Sequence, residues 1–186
     1  MIDSIPLLRQ KLRQRRRNSG LTCQHRASKC LMEVFQHMDE FRHSRRLALY
    51  LPNDGELDCR QLIKLSWALG KRCYLPVLSH NELGPHLNFA LHLPGRILTK
   101  NRYGILEPAI AHKLSAASLD LVLVPLVGYD RAGNRLGMGG GYYDRTFAHL
   151  RGAAKPLLIG VAHRHQEVNR LPVQPWDVPM DKIVAV

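Results

Sequence analysis

The sequence predicts an α/β fold: one domain over residues 1–186, a three-layer αβα sandwich with a mostly parallel, Rossmann-like central sheet. Three observations lead there. Short apolar runs of strand length alternate with amphipathic helical stretches. The clearest run, Leu119-Asp-Leu-Val-Leu-Val124, is nearly continuous, as expected of a strand buried on both faces. The 186 residues, 45% hydrophobic, suffice for a core of ordinary size, and no repeat, low-complexity tract or linker divides them.

Ser4-Ile5-Pro6 opens a helix, with serine as cap and proline in the first turn. Ile5, Leu8 and Leu12 form its thin apolar stripe, and Arg9, Arg13, Arg16 and Arg17 crowd another face. Asn18-Ser-Gly20 ends it. Thr22 is expected to cap a second helix, in which Ala27, Cys30, Leu31, Val34, Phe35 and Met38 keep helical spacing. Leu47–Leu51 reads as a strand stopped by the turn Pro52-Asn-Asp-Gly55. Asp58 then caps a helix carrying Leu62, Ile63, Leu65 and Leu69, and Gly70 stops it. Cys73–Leu75 is the next strand, halted by Pro76, so that strand, helix and strand form a right-handed parallel unit. Leu87–Leu93 is a short strand between the loop signals Gly84-Pro85 and Pro94-Gly95. After the central strand at 119–124, a helix runs from Gly141 to about Leu150, followed by strands at Leu157–Val161 and Ile183–Val186. Ligands of such sheets gather beyond the carboxyl ends of the strands, so the turn at Asn53–Glu56 and the loop at 125–141 should meet.

With 27 Lys and Arg against 15 Asp and Glu, the formal charge is +12, which calls for an anionic partner: a nucleic acid or a multiply charged small molecule. Cys23, Cys30, Cys59 and Cys73 have neither zinc-site nor paired spacing and read as free thiols of a reducing compartment. No apolar run is long enough to span a bilayer and no secretory leader is visible, so a cytoplasmic protein is expected. The ten histidines are scattered, mostly as surface residues, with His163-Arg-His165 a polar strand end rather than a metal site.

Four of the 14 glycines fall within Gly137–Gly141, just ahead of a helix. Glycines there let the backbone approach a ligand, and a helix start directs free N–H groups at an anion. Arg135 and Arg145 bracket the loop, and Asp144 adds a carboxylate in the helix's first turn. Phosphate, cation and metal ligand would converge. The loop lacks the Gly-Lys-Ser/Thr ending of a Walker loop and the third glycine of a dinucleotide fingerprint. The longer string from Pro125 to Arg145, Pro-Leu-Val-Gly-Tyr-Asp-Arg-Ala-Gly-Asn-Arg-Leu-Gly-Met-Gly-Gly-Gly-Tyr-Tyr-Asp-Arg, resembles the signature of the 5-formyltetrahydrofolate cyclo-ligase family. The resemblance implies an ATP- and magnesium-dependent ligase making 5,10-methenyltetrahydrofolate. In that reaction the ATP γ-phosphoryl is transferred to the formyl oxygen and N10 closes the ring.

Carried over residue by residue, the resemblance implies that Arg135, Leu136, Gly137, Met138, Gly139, Gly140, Gly141, Tyr142, Tyr143 and Asp144 surround the nucleotide phosphates, with Arg135, Tyr143 and Arg145 catalytic. Met138 and Gly140 stand where members often carry basic residues. Arg9-Gln-Lys-Leu-Arg13 is similar to a phosphate-contacting Lys-x-x-Leu-Arg pattern, with arginine at the first position. Asp144, and Asp181 in Pro179-Met-Asp181, are the implied magnesium ligands. Gly55-Glu56-Leu57-Asp58 and Tyr103-Gly-Ile-Leu-Glu-Pro108 resemble the folate-binding segments, so that Glu56 accepts from the pterin, Tyr103 stacks on it, and Tyr143 lines the junction. Tyr142 is expected to pack inward, and Trp176 receives no role. Alternative readings are a basic nucleic-acid-binding arm, unsupported by any RNA-binding aromatic motif or zinc module, and a non-ATP enzyme of related fold such as a sugar-phosphate isomerase or CoA transferase. The expected partners are ATP and a folate, with no membrane or specific nucleic acid, and the expected state is a monomer.

Overall fold

The computed structural model describes residues 4–82, 84–109, 112–150 and 155–186. Three helices come first, α1 (Ile5–Arg17), α2 (Leu21–Gln36) and α3 (Asp39–His43). Strand β1 (Arg46–Ala48), helix α4 (Arg60–Ala68) and strand β2 (Arg72–Asn81) follow, then β3 (Gly84–His92), β4 (Leu98–Lys100), β5 (Leu106–Pro108) and β6 (Lys113–Leu114). The rest is β7 (Leu121–Pro125), β8 (Gly128–Tyr129), β9 (Arg135–Leu136), α5 (Tyr142–Phe147), β10 (Leu157–Ala162) and β11 (Lys182–Ala185). Seven strands make the main sheet in the order β11-β10-β7-β1-β2-β3-β6. The first five are mutually parallel, and β3 and β6 extend the sheet antiparallel.

The strand pleat explains the three layers. On β7, Leu121 and Leu123 face a core shared with Ala27, Leu31 and Phe35 of α2, Phe41 of α3, and Leu62 and Ile63 of α4. Val122 and Val124 face the opposite core with Phe89 and with Phe147 of α5. Both sides of the strand are buried, which is why its run is almost wholly apolar. A third, smaller cluster seats α1: Leu12 is buried against Val127, Leu136 and Leu171 at the carboxyl edge of the sheet.

Several boundaries differ from the sequence reading. Helix α2 begins at Leu21 with Gly20 at its cap, so Thr22 lies inside the first turn and caps nothing. Helix α4 begins at Arg60, and Asp58 accepts its first N–H at 2.9 Å from just outside. Strand β2 runs through Pro76 to Asn81. The Leu49 N–H donates to the Tyr74 carbonyl at 2.9 Å, so Pro76, two residues on, faces the same side after β1 has ended and loses no ladder bond there. Gly84-Pro85 lies within the β2–β3 hairpin rather than in a separate loop. Helix α5 is shorter than expected, ending at Phe147. The four cysteines are free thiols, and among the described residues no helix is long and apolar enough to cross a membrane.

Leu123→Ala removes a fully buried side chain from the middle of β7. It should lower unfolding free energy by about 2–5 kcal/mol, read from the denaturant midpoint. A loss below about 1 kcal/mol would contradict the packing described for this strand.

Candidate active site

The glycine loop is reached through a small hairpin, β8–β9, that leaves the carboxyl end of β7. Asp130 shapes its turn: one carboxylate oxygen accepts the Ala132 and Asn134 N–H groups at 3.0 and 3.1 Å, and the other accepts Leu171 N–H at 2.9 Å. Burial works against the Asp130 carboxylate, but these donors hold its pKa below the usual range. The hairpin delivers Arg135 at the start of the loop, with Leu136 buried beneath it. Gly141 caps α5 in the left-handed region, φ 64°, and a Cβ there would stand 2.6 Å from the Arg145 guanidinium.

Arginines approach this loop from three elements. Arg9 of α1 donates Nε–H to the Gly137 carbonyl at 2.8 Å. Arg145 of α5 donates to the Gly140 carbonyl and, through Nε, to the Pro85 carbonyl at 2.6 Å. Arg135 pairs with Asp144 through Nη2, while its buried Nε has no hydrogen-bond partner. Asp144 Oδ1 also accepts the Val178 N–H at 3.0 Å. An open hollow of about 330 Å³ lies beside Arg135, walled by Asn134, Val173, Pro175, Asp177 and Val178. Met138 is exposed above the loop.

Opposite the loop stands the turn that follows β1. Asp54 there adopts φ 53°, the one positive φ outside glycine among the described residues, and Gly55 follows at φ 76°. A Cβ on Gly55 would come within 2.9 Å of the Arg16 carbonyl, so this turn rests directly on the backbone of α1. The Asp54 carboxylate accepts Arg13 Nε–H and Arg16 Nη2–H at 2.8 Å each, and Arg17 as well. Burial alone would raise its pKa; the arginines hold it below the usual carboxylate range. Arg16 is 1% exposed, and its Nε and Nη1 donate to the Asp54 and Leu126 carbonyls at 2.9 and 3.2 Å. Leaving such a buried charge unpaired would cost about 3–5 kcal/mol.

Glu56 completes the turn. One oxygen accepts the Asn53 N–H at 3.0 Å and the other lies 3.7 Å from Arg16. Burial pushes its carboxyl up, Arg16 and the Asn53 N–H pull it back, and Asp54 adds to the rise, leaving it raised to about 7. Tyr143, on the first turn of α5, stacks on Phe147 at 6.3 Å; its phenol is pushed up by burial, raised further by nearby Glu56 and lowered by Arg135. Beneath the turn, Tyr50 donates its hydroxyl to the Leu57 carbonyl at 2.6 Å, and Cys59 donates Sγ–H to the Tyr50 carbonyl at 2.8 Å.

The structure therefore brings Arg9, Arg13, Arg135, Tyr143, Asp144, Arg145 and Glu56 to one edge of the sheet. Arg13 contacts the Glu56 turn rather than the glycine loop. Tyr103 is half exposed and meets Tyr142 edge-on at 6.2 Å, and Arg102 lies 5.0 Å over the Tyr103 ring. Tyr142 packs its ring against the core, but its hydroxyl reaches outward to Arg102 and Tyr103. Trp176 is exposed.

Asp181 sits elsewhere: its carboxylate accepts the Leu158 N–H at 2.8 Å and pairs with Lys155 at 2.7 Å. The acid closer to Asp144 is Asp177, which shares the hollow with Arg135 and precedes the Val178 that Asp144 binds. Its spacing within Gln174–Pro179 resembles that of Asp181, so sequence alone offers little to choose between them. Arg16 and Asp54 are also absent from the expected site. Their signal was the i, i+3, i+4 arginine spacing on α1, whose partner became visible only on folding. His163, expected as part of a polar strand end, is 1% exposed and stacked at 5.2 Å on His165. Burial, His165 and Arg16 push it down to about 4, so it is neutral at pH 7. Among the described residues no cluster of three or more His, Cys, Asp or Glu forms a ready-made metal cage.

The profile of the 5-formyltetrahydrofolate cyclo-ligase family matches residues 2–186. The chain belongs to that family. A Haemophilus influenzae 5-formyltetrahydrofolate cyclo-ligase is 36% identical over 180 residues, covering 96% of this chain and 95% of the relative. The Escherichia coli K12 cyclo-ligase is 43% identical over 141 residues, 75% of this chain and 76% of the relative. The solved Aquifex aeolicus 5,10-methenyltetrahydrofolate synthetase superposes with a TM-score of 0.83 at 32% identity, over 97% of this chain and 89% of that one. The Mycoplasma pneumoniae synthetase shares the cyclo-ligase fold at TM-score 0.75 and 22% identity, over 97% and 98% of the two chains.

Glu56 keeps its proton up to about pH 7 when folded, whereas its ordinary value is 4.5. Between those values the native state holds more protons than the unfolded chain, so stability falls as pH rises through that window. Glu56→Gln should flatten this stretch of a stability-against-pH curve; parallel curves for the two proteins would show that Glu56 titrates normally.

Proposed function

We propose that the protein converts 5-formyltetrahydrofolate and ATP into 5,10-methenyltetrahydrofolate, ADP and phosphate, with magnesium as the required ion, as a monomer in the cytoplasm. The supporting observation is that Arg9, Arg135 and Arg145 converge on the 137–141 loop while the turn carrying Glu56 rests on the same helix α1, with Tyr143 near both. Two ligands held by those residues would meet at Tyr143.

The chemical difficulty is that an N-formyl oxygen leaves poorly. Phosphorylation makes it a leaving group, after which N10 attacks the formyl carbon, the ring closes and phosphate departs. On the nucleotide side, Arg9, Arg135 and Arg145 surround the loop backbone, and a γ-phosphate there would meet positive charge already in place. Arg13, bound to Asp54, lies within the same basic face and contributes field to the phosphates.

On the folate side, ionised Glu56 would accept the N–H donors of the pterin, and Tyr103 would supply an aromatic face against its ring. Tyr143 would hold the formyl group against the γ-phosphate, so that the reacting atoms meet in line. The donor set fits magnesium, which takes few protein ligands and keeps waters: both bonds of Asp144 fall on Oδ1, and Asp177 lies beside its Val178 contact. When bound, magnesium would neutralise the β- and γ-phosphate oxygens. We assign the carboxylate role to Asp144, with Asp177 better placed than Asp181 for a second.

The assay is the absorbance of 5,10-methenyltetrahydrofolate formed from 5-formyltetrahydrofolate, with and without ATP. Product only when ATP and magnesium are present is expected; its absence would refute the proposal. Asp144→Ala should lower kcat/KM by about 100-fold or more while the protein stays folded by circular dichroism. Unchanged turnover in that variant would remove Asp144 from the chemistry.

A further inference from the structure

Resting on that reading, we propose that Arg16 is a positioning residue that joins α1 on the nucleotide side to the 53–56 turn on the folate side, so that the two ligands bind cooperatively. It is a fully buried arginine whose three hydrogen bonds run to two separate segments rather than along its own helix. Nη1 reaches the Leu126 carbonyl at 3.2 Å, where β7 turns toward the glycine loop. Nε and Nη2 reach the Asp54 carbonyl and carboxylate at 2.9 and 2.8 Å, and Glu56 lies 3.7 Å away. The guanidinium fork thus measures the separation of helix, turn and loop at once, which a point charge on a flexible stem cannot do.

The same helix carries Arg9, bonded to the Gly137 carbonyl about two turns earlier. Helix α1 is therefore fastened to the glycine loop at Arg9 and to the folate turn at Arg16. A phosphate that draws Arg9 toward itself moves the helix, and the helix takes Asp54, Gly55 and Glu56 with it. Gly55 transmits this by direct backbone contact, since no side chain separates it from the Arg16 carbonyl. The far side of the turn is held more loosely, by Gln24 of α2 at 3.1 Å from the Gly55 carbonyl. Arg16 is the cation facing Glu56; Asp54 on the same turn opposes it, and Tyr50, Cys59 and Tyr143 stand around the carboxyl as neutral neighbours. Neutral His163 lies behind the guanidinium.

The test measures the affinity of the full chain for 5-formyltetrahydrofolate by calorimetry, with and without a non-hydrolysable ATP analogue and magnesium. In the native protein the analogue should tighten folate binding by about 10-fold, and folate should tighten the analogue by the same factor. Arg16→Met keeps the bulk without the charge, and should reduce that factor below about 2-fold. It should also move the pH midpoint of folate binding above its native position, because Glu56 loses its cation. Arg16→Lys retains charge without the fork, and should lose the coupling while keeping the midpoint. A residue needed only for folding would lower the melting temperature and leave both the factor and the midpoint in place, which would overturn the proposal. So would native-like coupling in Arg16→Lys, the deciding variant should Arg16→Met fail to fold. If the native protein neither binds folate nor forms the methenyl product, the proposed function falls instead. A native enzyme that turns over without coupling removes only the role of Arg16.

Discussion

The architecture of the site depends on a buried guanidinium, Arg16, meeting a carboxylate held in a left-handed turn, Asp54. Taking a charge out of water is expensive, and the cost is met here by three hydrogen bonds whose acceptors come from two strand ends. Asp54 accepts a strained backbone conformation, which aspartate tolerates better than most residues, and three arginines hold it there. Gly55 then lies flush on α1 because it has no side chain. Without this pairing α1 would be seated at the sheet edge by the small Leu12 cluster and the bond from Arg9 to the Gly137 carbonyl.

Around that anchor the arginines are arranged in an informative way. Arg9 and Arg145 are bonded to carbonyl oxygens of the glycine loop and, among the described residues, to no carboxylate, so their positive charge is positioned without being cancelled there. Arg135 is half satisfied, with Asp144 on one side and an orphaned Nε on the other. Three of the 27 Lys and Arg residues are thereby gathered where an anion would approach. Glu56 supplies the contrasting element, a carboxyl poised near neutrality by burial, at the far end of the same edge. Separated charge of this kind suits one anionic and one proton-donating ligand held end to end.

The glycine loop, the basic face of α1, the Glu56 turn and the alternation of strands and helices were all visible in the residue pattern. Each depends on local chemistry: period, turn residues, caps. Pro76 misled because its missing N–H matters only where a neighbouring strand is present to receive it, and β1 has already ended there. Asp181 and Asp177 looked alike in the chain, yet one is drawn to Lys155 and the Leu158 N–H and the other lines the Arg135 hollow. His163 read as part of a polar strand end, and its burial became visible only on folding, where the stacked His165 and the packed strand end enclose it.

By itself the sequence determined the fold class, the loop that could cradle an anion, and the resemblance on which the family rested, since these reside in spacing and residue type within short stretches. Tertiary structure alone decided which arginine is buried, which aspartate lines the hollow beside Arg135, and that Tyr143 neighbours both Glu56 and Arg135. Those facts depend on distances between segments up to 110 residues apart, as between Arg16 and Leu126. No local pattern encodes such a distance; it arises only when the parallel strands place their carboxyl ends along one edge.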